Sequence, residues 1–547
     1  ARYRKRAPVK LSRIVRTGAL VLAGILAACA RTSAPQNPPG GAFVVVQQRE
    51  PMSLNPDLEN GMSSTEWGLL LFQYLVKFDD RGRLVGDAAE AVPSLGNGGI
   101  SRDGRTITYH LKHGVRFSDG TPLTAADCVA SIDAVNDPSH NVQSRYGFDV
   151  VARAEAPDPR TLVLHLRHPF APLLTLVLAP QGFPILPAHV LRTLGDFNKI
   201  DLIPVGSGPY VAVRWIRGDR VELRANPYYY RGKPKIENLT IRFITDPNTA
   251  MNLLRTGEAG GYFNDLDLGD VPLLRAIPRV RTTTTPVNAV GAIIFNTNDP
   301  VTRDARVRHA LAEAIDMPAL IAKTYRGAVS AEQAGRGLYI WAFDPQASPD
   351  VPYDPARARA LLEQAGWKLG PDGVRRNGGR RLEVLFVIQA ATPGDATIAN
   401  GVTQYEKAIG ADVTVKQFTA TQIVAPANAG GPVYGGKFQL ALYPFVNGDD
   451  PDTTDQFACA NVPPRGYNKS RICDPRLDAL LARARSTYDP VRRRALYAQL
   501  QQLLSDELPI ELIYQRREID AFSDRLRNQT TSVSSAFWNV GAWELAS

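Results

Sequence analysis

Short apolar runs bounded by turn residues alternate with amphipathic helical stretches along most of this chain, and that alternation confines it to an α/β body. AFVVVQQ (42–48) is a β-branched run suited to a buried strand. STEWGLLLFQYLV (64–76) places Trp67, Leu70, Leu71 and Tyr74 at helical spacing behind Ser63 or Ser64 as a cap. TITYHLK (106–112) and TLVLHLR (161–167) alternate in the manner of half-buried strands. From residue 226 strands and helices mix. RVRHALAEAI (306–315), DPARARALLEQAG (354–366) and DPVRRRALYAQLQQLLSDELP (489–509) read as amphipathic helices, two of them opened by Asp-Pro. LEVLFVIQ (382–389) and FQLALYPF (438–445) read as apolar strands, and IELIYQRREIDAF (510–522) returns to strand character, able to rejoin the sheet begun near residue 42. With 547 residues the chain exceeds what one hydrophobic core fills, so several lobes are expected.

The formal charge of +9 does not mark a nucleic-acid binder. Seven positive residues (Arg2, Arg4, Lys5, Arg6, Lys10, Arg13 and Arg16) precede position 29 with no acid among them, which leaves +2 for the rest. This basic start, the apolar stretch TGALVLAGILAA (17–28) and the small residues before Cys29 are the three parts of an export signal. Twelve helical residues reach about 18 Å against a hydrocarbon core of ~30 Å, so the stretch reads as a removable leader. LAAC (26–29) resembles the bacterial lipobox, which implies Cys29 as the lipid-modified first residue of the mature protein; a plain secretory leader is the alternative. ARTSAPQNPPGG (30–41) then reads as a flexible tether. Of four cysteines, Cys459 and Cys473 stand fourteen apart across a polar segment and read as a disulfide, while Cys128 reads as a small buried hydrophobe.

Catalytic patterns do not stand out. VGSGPY (205–210) is not a nucleophile elbow, and neither a zinc-protease helix motif nor a phosphate-binding loop occurs. His110 with His113 and His165 with His168 sit at i, i+3 on strands, which aims each pair to opposite faces. The densest chemistry is VNGDDPDTTDQF (446–457), with Asp449, Asp450, Asp452 and Asp455 between apolar segments. As a calcium loop starting at Asp450 it fails, because the sixth position, which must be Gly, is Asp455 and the twelfth is Asn461. No metal and no cofactor is expected. A solvated turn is the plain reading, in which Asp and Asn bond their own backbone beside Pro451.

Several blocks in order resemble the extracellular solute-binding proteins of family 5, the oligopeptide- and dipeptide-binding subunits of ABC importers. They are EPMSLNP (50–56), GVRFSDGTPLTAADCVASI (114–132), VGSGPY with RANPYYYRGKPKI (224–236), FNTNDPVTRDARVRHALAEAID (295–316), YDPARARALLEQAGW (353–367) and the stretch 473–514. Inside the second block, Thr124 and Asp127 have capping-box spacing, so that segment reads as structural. The VRRRALYAQL face (491–500) reads as a solvated helix surface.

The resemblance implies an α/β, periplasmic-binding-protein-like fold of two lobes with an extra inserted domain and an interlobe ligand cleft. Its parts are a signal peptide at 1–28, a tether at 29–41, lobe one from 42–75, 186–292 and 511–547, an inserted domain at 76–185 and lobe two at 293–510. It implies a monomeric, non-enzymatic receptor in the periplasm or cell envelope, lipid-anchored to the membrane, that hands a peptide or other small solute to ABC permease subunits. In the peptide-binding relatives an aspartate just before the acidic turn pairs with the peptide's ammonium group; aligned on DPD (450–452), that position falls on Asn447 here. Either Asp449 or Asp450 takes over that role, or the solute lacks a free amine. Glu50 matches the opening-strand position that faces ligand, and Tyr443 and Phe445 either line the cleft or pack in the core. The rival from another class is a secreted hydrolase of peptides or glycans using Glu50, Asp449 and Asp450 as acid and base.

Overall fold

A computed structural model describes residues 42–58, 62–142, 144–180, 182–194, 197, 204–263, 268–392, 394–533 and 535–546. The leader, the tether, Cys29 and the side chains of Ser63 and Ser64 lie outside the described residues. Among the described residues no helix is long and apolar enough to cross a membrane.

Ten strands form one sheet that runs through both lobes. In chain order they are β1 (Phe43–Gln47), β2 (Tyr210–Ile216), β3 (Arg220–Ala225), β4 (Asn238–Phe243), β5 (Gly261–Phe263), β6 (Val280–Phe295), β7 (Glu383–Gln389), β8 (Asp412–Phe418), β9 (Leu440–Val446) and β10 (Ile510–Ser523). Their spatial order is β8-β7-β9-β6-β10-β5-β1-β4-β3-β2. β1 is buried along its whole length because it lies parallel between β5 and β4, covered on both faces, as its unbroken apolar run requires.

The two lobes of this α/β fold share β6 and β10, which run antiparallel. At one end β10 pairs with β5 (Tyr262 opposite Ala521); at the other β6 pairs with β9 (Ile293 opposite Leu442). Between these ends the β6–β10 ladder breaks after Pro286, opposite Arg517, and resumes at Val290, opposite Gln515. Pro286 has no N–H to give the ladder, which is one reason for the break. The expected lobe boundary at 292/293 falls inside β6, and that at 510/511 at the start of β10.

Apolar side chains gather accordingly. One core contains Phe43, Trp67, Leu164, Leu239 and Trp543, and a second on the other face of the same lobe contains Val44, Tyr262 and Ile519. Two more sandwich the far half of the sheet, one around Ile293, Phe386 and Leu442 and one around Ala292, Phe445, Leu481 and Leu500. The segment 76–185 carries its own antiparallel sheet of Thr106–His110, Thr161–Leu166 and Val151–Asp158, and packs into the first core.

Local signals act as their chemistry requires. Thr124 donates its backbone N–H to Asp127 at 2.7 Å in a capping box, and the other Asp127 oxygen receives the N–H of Ala188 at 2.8 Å. Helix Met62–Leu71 stops short of the expected residue 76 because its end is met by the VGSGPY turn. Gly208 donates its N–H to the Leu71 carbonyl at 2.9 Å, and a Cβ on Gly206 would lie 1.8 Å from that oxygen.

Candidate functional site

β9 delivers its last residues to the break in the β6–β10 ladder, and the acidic loop begins there. Asn447 donates its backbone N–H to the Asn288 carbonyl on β6 at 2.8 Å. Its side-chain Nδ2 donates to the carbonyls of Leu338 at 2.6 Å and Asp450 at 3.2 Å. Both partners are carbonyl oxygens, which fixes which end of the carboxamide is nitrogen and leaves Oδ1 as the acceptor with no protein donor among the described residues. Asp449 is buried, and its Oδ1 accepts from Asn288 Nδ2 at 2.9 Å.

Asp450 is committed inward. Its two oxygens accept from Arg493 Nη1 and Nη2, each at 2.6 Å, and Oδ1 also takes the backbone N–H of Asp452 at 3.0 Å. Burial raises this carboxyl, and the Arg493 charge with its hydrogen bonds opposes that rise. Arg493 donates further to the Ala484 carbonyl at 3.0 Å and to the Tyr497 hydroxyl at 3.2 Å. The 491–500 stretch therefore is not wholly a solvated surface: Arg492 and Arg494 are exposed, but Arg493 turns into the protein because a buried anion waits there.

Asp452 ties the loop to the segment 76–185. It accepts from the Tyr146 hydroxyl at 2.9 Å and lies 3.3 Å from Arg485 Nε on helix Pro475–Ser486. Arg485 stacks over Tyr146 and Phe170 with centroid distances of 5.8 and 4.9 Å, and its carbonyl receives the Ala171 N–H at 2.7 Å. The Tyr488 hydroxyl accepts the Phe170 N–H at 3.2 Å. Asp455 has its carboxyl raised by burial and by the neighbouring Asp452 charge. The cluster is thus a junction of β6, helix Pro475–Ser486, Arg493 and the 76–185 segment, with each carboxylate engaged by protein groups.

Glu50 lies elsewhere in the structure. It accepts from Trp215 Nε1 and from the Gly218 N–H, each at 2.9 Å, and so fastens the turn between β2 and β3. Tyr443 is half-buried and Phe445 buried on one face of β9. Both look onto a group that sequence reasoning missed, the Lys469 ammonium. Its Nζ stands 4.8 Å from the Tyr443 ring centre, 5.4 Å from Phe445, 5.6 Å from Tyr467 and 5.7 Å from Tyr434. Burial pulls Lys469 down to about 8. The segment that carries it is closed by Cys459 and Cys473, whose sulfurs are paired with Cα atoms 4.5 Å apart. Cys128 is buried and free. Among the described residues no group of His, Cys, Asp and Glu is arranged to hold a metal ion.

The family model of the bacterial extracellular solute-binding proteins, family 5 Middle, matches residues 84–466. The chain is 28% identical over 453 residues to di/tripeptide-binding protein 2 of Pseudomonas aeruginosa, covering 77% of this chain and 80% of that one. It is 28% identical over 483 residues to the glutathione-binding protein GsiB of Escherichia coli, covering 87% and 89%. The oligopeptide-binding protein AppA of Bacillus subtilis, solved with a nonapeptide, superposes with a TM-score of 0.73 at 22% identity over 93% of this chain and 99% of that one, which speaks for the fold.

Proposed function

The chain belongs to the bacterial extracellular solute-binding proteins of family 5, and from that premise we propose that it is a lipid-anchored receptor that encloses a peptide or similar small solute between its lobes and passes it to an ABC importer. Its homologues are binding proteins of such importers and not enzymes, which removes the paired-carboxylate hydrolase as an account of Glu50, Asp449 and Asp450. The observation that carries the reading is the ladder break between Pro286 and Val290 in the two strands shared by the lobes, beside the acidic loop. A sheet bends most easily where its pairing lapses. A solute touching both sides of such a hinge binds one lobe arrangement better than the other and shifts the population toward it.

Within this reading Tyr443, Phe445, Asn447 and Asp449 form the wall of the solute site and Asp450 supports it from behind, while Glu50 serves the turn between β2 and β3. Asn447 offers a neutral acceptor where a carboxylate would offer charge, so an amine gains one ordinary hydrogen bond there. Incubation with pools of short peptides is expected to return them uncleaved and to raise the melting temperature. N-acetylation of a bound peptide is expected to weaken binding by about tenfold or less. A loss beyond roughly a hundredfold in titration calorimetry would put a carboxylate on the amine instead, and cleaved peptides would end the receptor reading.

Cysteine chemistry checks the remaining parts. A Cys29→Ser protein is expected to lose its acyl chains and leave the membrane fraction. Thiol counting on denatured, unreduced mature protein is expected to find Cys128 alone, with Cys459 and Cys473 bridged; three free thiols would refute the bridge.

A further inference from the structure

We propose that a cavity at the start of β10, lined by Glu511 and Glu313, binds a small primary amine as its ammonium ion, at a site separate from the solute cleft. The cavity measures about 200 Å³. Its walls come from helix Ala305–Glu313, the stretch 348–352, the end of helix Pro490–Glu507 and the first residues of β10. No residue of β9 or of the acidic loop takes part. Glu511 stands four residues along β10 from Gln515, where the β6–β10 ladder resumes, or about 13 Å on an extended strand.

Two buried acids line this cavity without the donors to match them. Glu511 is 3% exposed, and neither of its carboxyl oxygens meets a hydrogen-bond donor among the described residues. Glu313 is 1% exposed; its Oε1 lies 3.3 Å from Arg357 Nη1 and 3.6 Å from His309 Nδ1, whereas Oε2 has no partner among the described residues. A buried carboxyl that lacks donors is costly until a donor or a cation meets it. The other charged groups of the lining are engaged or turned to water. His309 Nε2 meets the Asp506 carbonyl at 3.0 Å, Asp350 takes the Gln333 N–H at 3.0 Å, and the Arg357 side chain is 57% exposed. Glu406, on helix Asp395–Ala408, is near enough to be raised by Glu511, and it is a further carboxyl rather than a cation.

The rest of the lining selects the kind of cation. Leu504, Leu508, Ile510, Leu512 and Val351 supply an apolar wall. A hydrated metal ion gains nothing from such a wall, and among the described residues no group of His, Cys, Asp and Glu is arranged to hold one. A primary alkylammonium brings three N–H donors for the acidic end and a short hydrocarbon tail for the leucines. Burial holds Glu511 at about 8, so at pH 7 most of it carries a proton before the amine arrives. An ammonium beside it favours the carboxylate, and the displaced proton passes to the buffer.

Titration calorimetry with butylammonium chloride at pH 7, in two buffers of different ionisation enthalpy, tests the site, with butanol and potassium chloride as controls. Wild type is expected to bind butylammonium, to release about one proton per amine and to melt at a higher temperature, and neither control should reproduce this. Glu511→Gln should weaken binding by roughly tenfold or more and abolish the proton release. Ser505→Phe fills the cavity while leaving Glu511 in place, and it should lose binding as well. A single cooperative melt checks that each variant is folded. An equal effect of butanol overturns the site, as does butylammonium binding that is unchanged in either variant. Absence of binding to wild type overturns it too, and the cavity then holds water alone.

Discussion

Asp450→Ala is expected to lower the unfolding free energy by about 3–5 kcal/mol, because it strands a guanidinium that sits inside the protein. The Arg493 and Asp450 side chains are only 6% and 9% exposed, and both carboxylate oxygens are bonded at 2.6 Å. Alanine leaves Arg493 with the Ala484 carbonyl and the Tyr497 hydroxyl, neither of which carries a neutralising charge. Removing both members costs less than breaking the pair, since a buried ion pair replaced by apolar groups often comes out near neutral. Asp450→Ala with Arg493→Met should therefore recover much of the loss. Urea titrations of the single and double variants check this; a double variant as unstable as the sum of its parts would mean that the two side chains are not coupled and would refute the stranded-charge account. Peptide binding should weaken in Asp450→Ala as well, because the same carboxylate holds the turn that positions Asn447.

The second large effect is a fall in stability as pH rises from about 5 to 8. Glu511 on β10 is buried, its Oε2 has no hydrogen-bond partner among the described residues, and burial raises it to about 8. Glu406, whose two carboxyl oxygens also lack partners among the described residues, is held well above its usual range by burial and then by Glu511. Burial likewise raises Asp395 to about 7 and Asp520 to about 6. In the unfolded chain such groups lose their protons near pH 4. Between that value and their folded pKa the native state binds more protons than the unfolded state, so stability is fully present in acid and is lost as pH climbs. Glu511 alone accounts for a change on the order of 3–4 kcal/mol across this window. Asp372, pulled down to about 2 by its hydrogen bond from Arg381, titrates below the window and leaves the sign unchanged. Denaturant midpoints at several pH values should decline from pH 5 to 8 in wild type and decline less in Glu511→Gln. A wild-type curve that climbs over this range would rule out buried, protonated carboxyls.

These two expectations also mark what was legible in the residue order. Elements governed by neighbours along the chain were readable. Asp354 accepts the N–H groups of Ala356 and Arg357, and Asp489 that of Arg492, as Asp-Pro openings require. β7, β9 and β10 lie where their apolar runs placed them. β6 was hidden, because TTTTP (282–286) followed by Asn288 carries turn residues and polar threonines inside a 16-residue strand. Its extended form is enforced by pairing with β10, which lies more than two hundred residues away in sequence. The same limit applied at the site. The crowding of aspartates in 449–455 was visible, but their partners Arg485, Arg493 and Tyr146 are remote in the chain, and nothing local distinguishes Arg493 from Arg492 and Arg494. Lys469 is equally plain within NKSR (468–471) and gains its character only when Tyr434, Tyr443 and Phe445 close around it.

The segment 76–185 has a sheet of its own but no core of its own. Ile107, Leu162, Leu164 and Phe148 belong to one continuous apolar body with Trp67, Tyr210, Leu239 and Trp543. Excising it would strip the hydrophobic cover from one face of β1 to β4 along with the excised residues. The two parts are therefore expected to melt as one calorimetric unit, and a scan that resolved a separate transition for 76–185 would contradict the shared core.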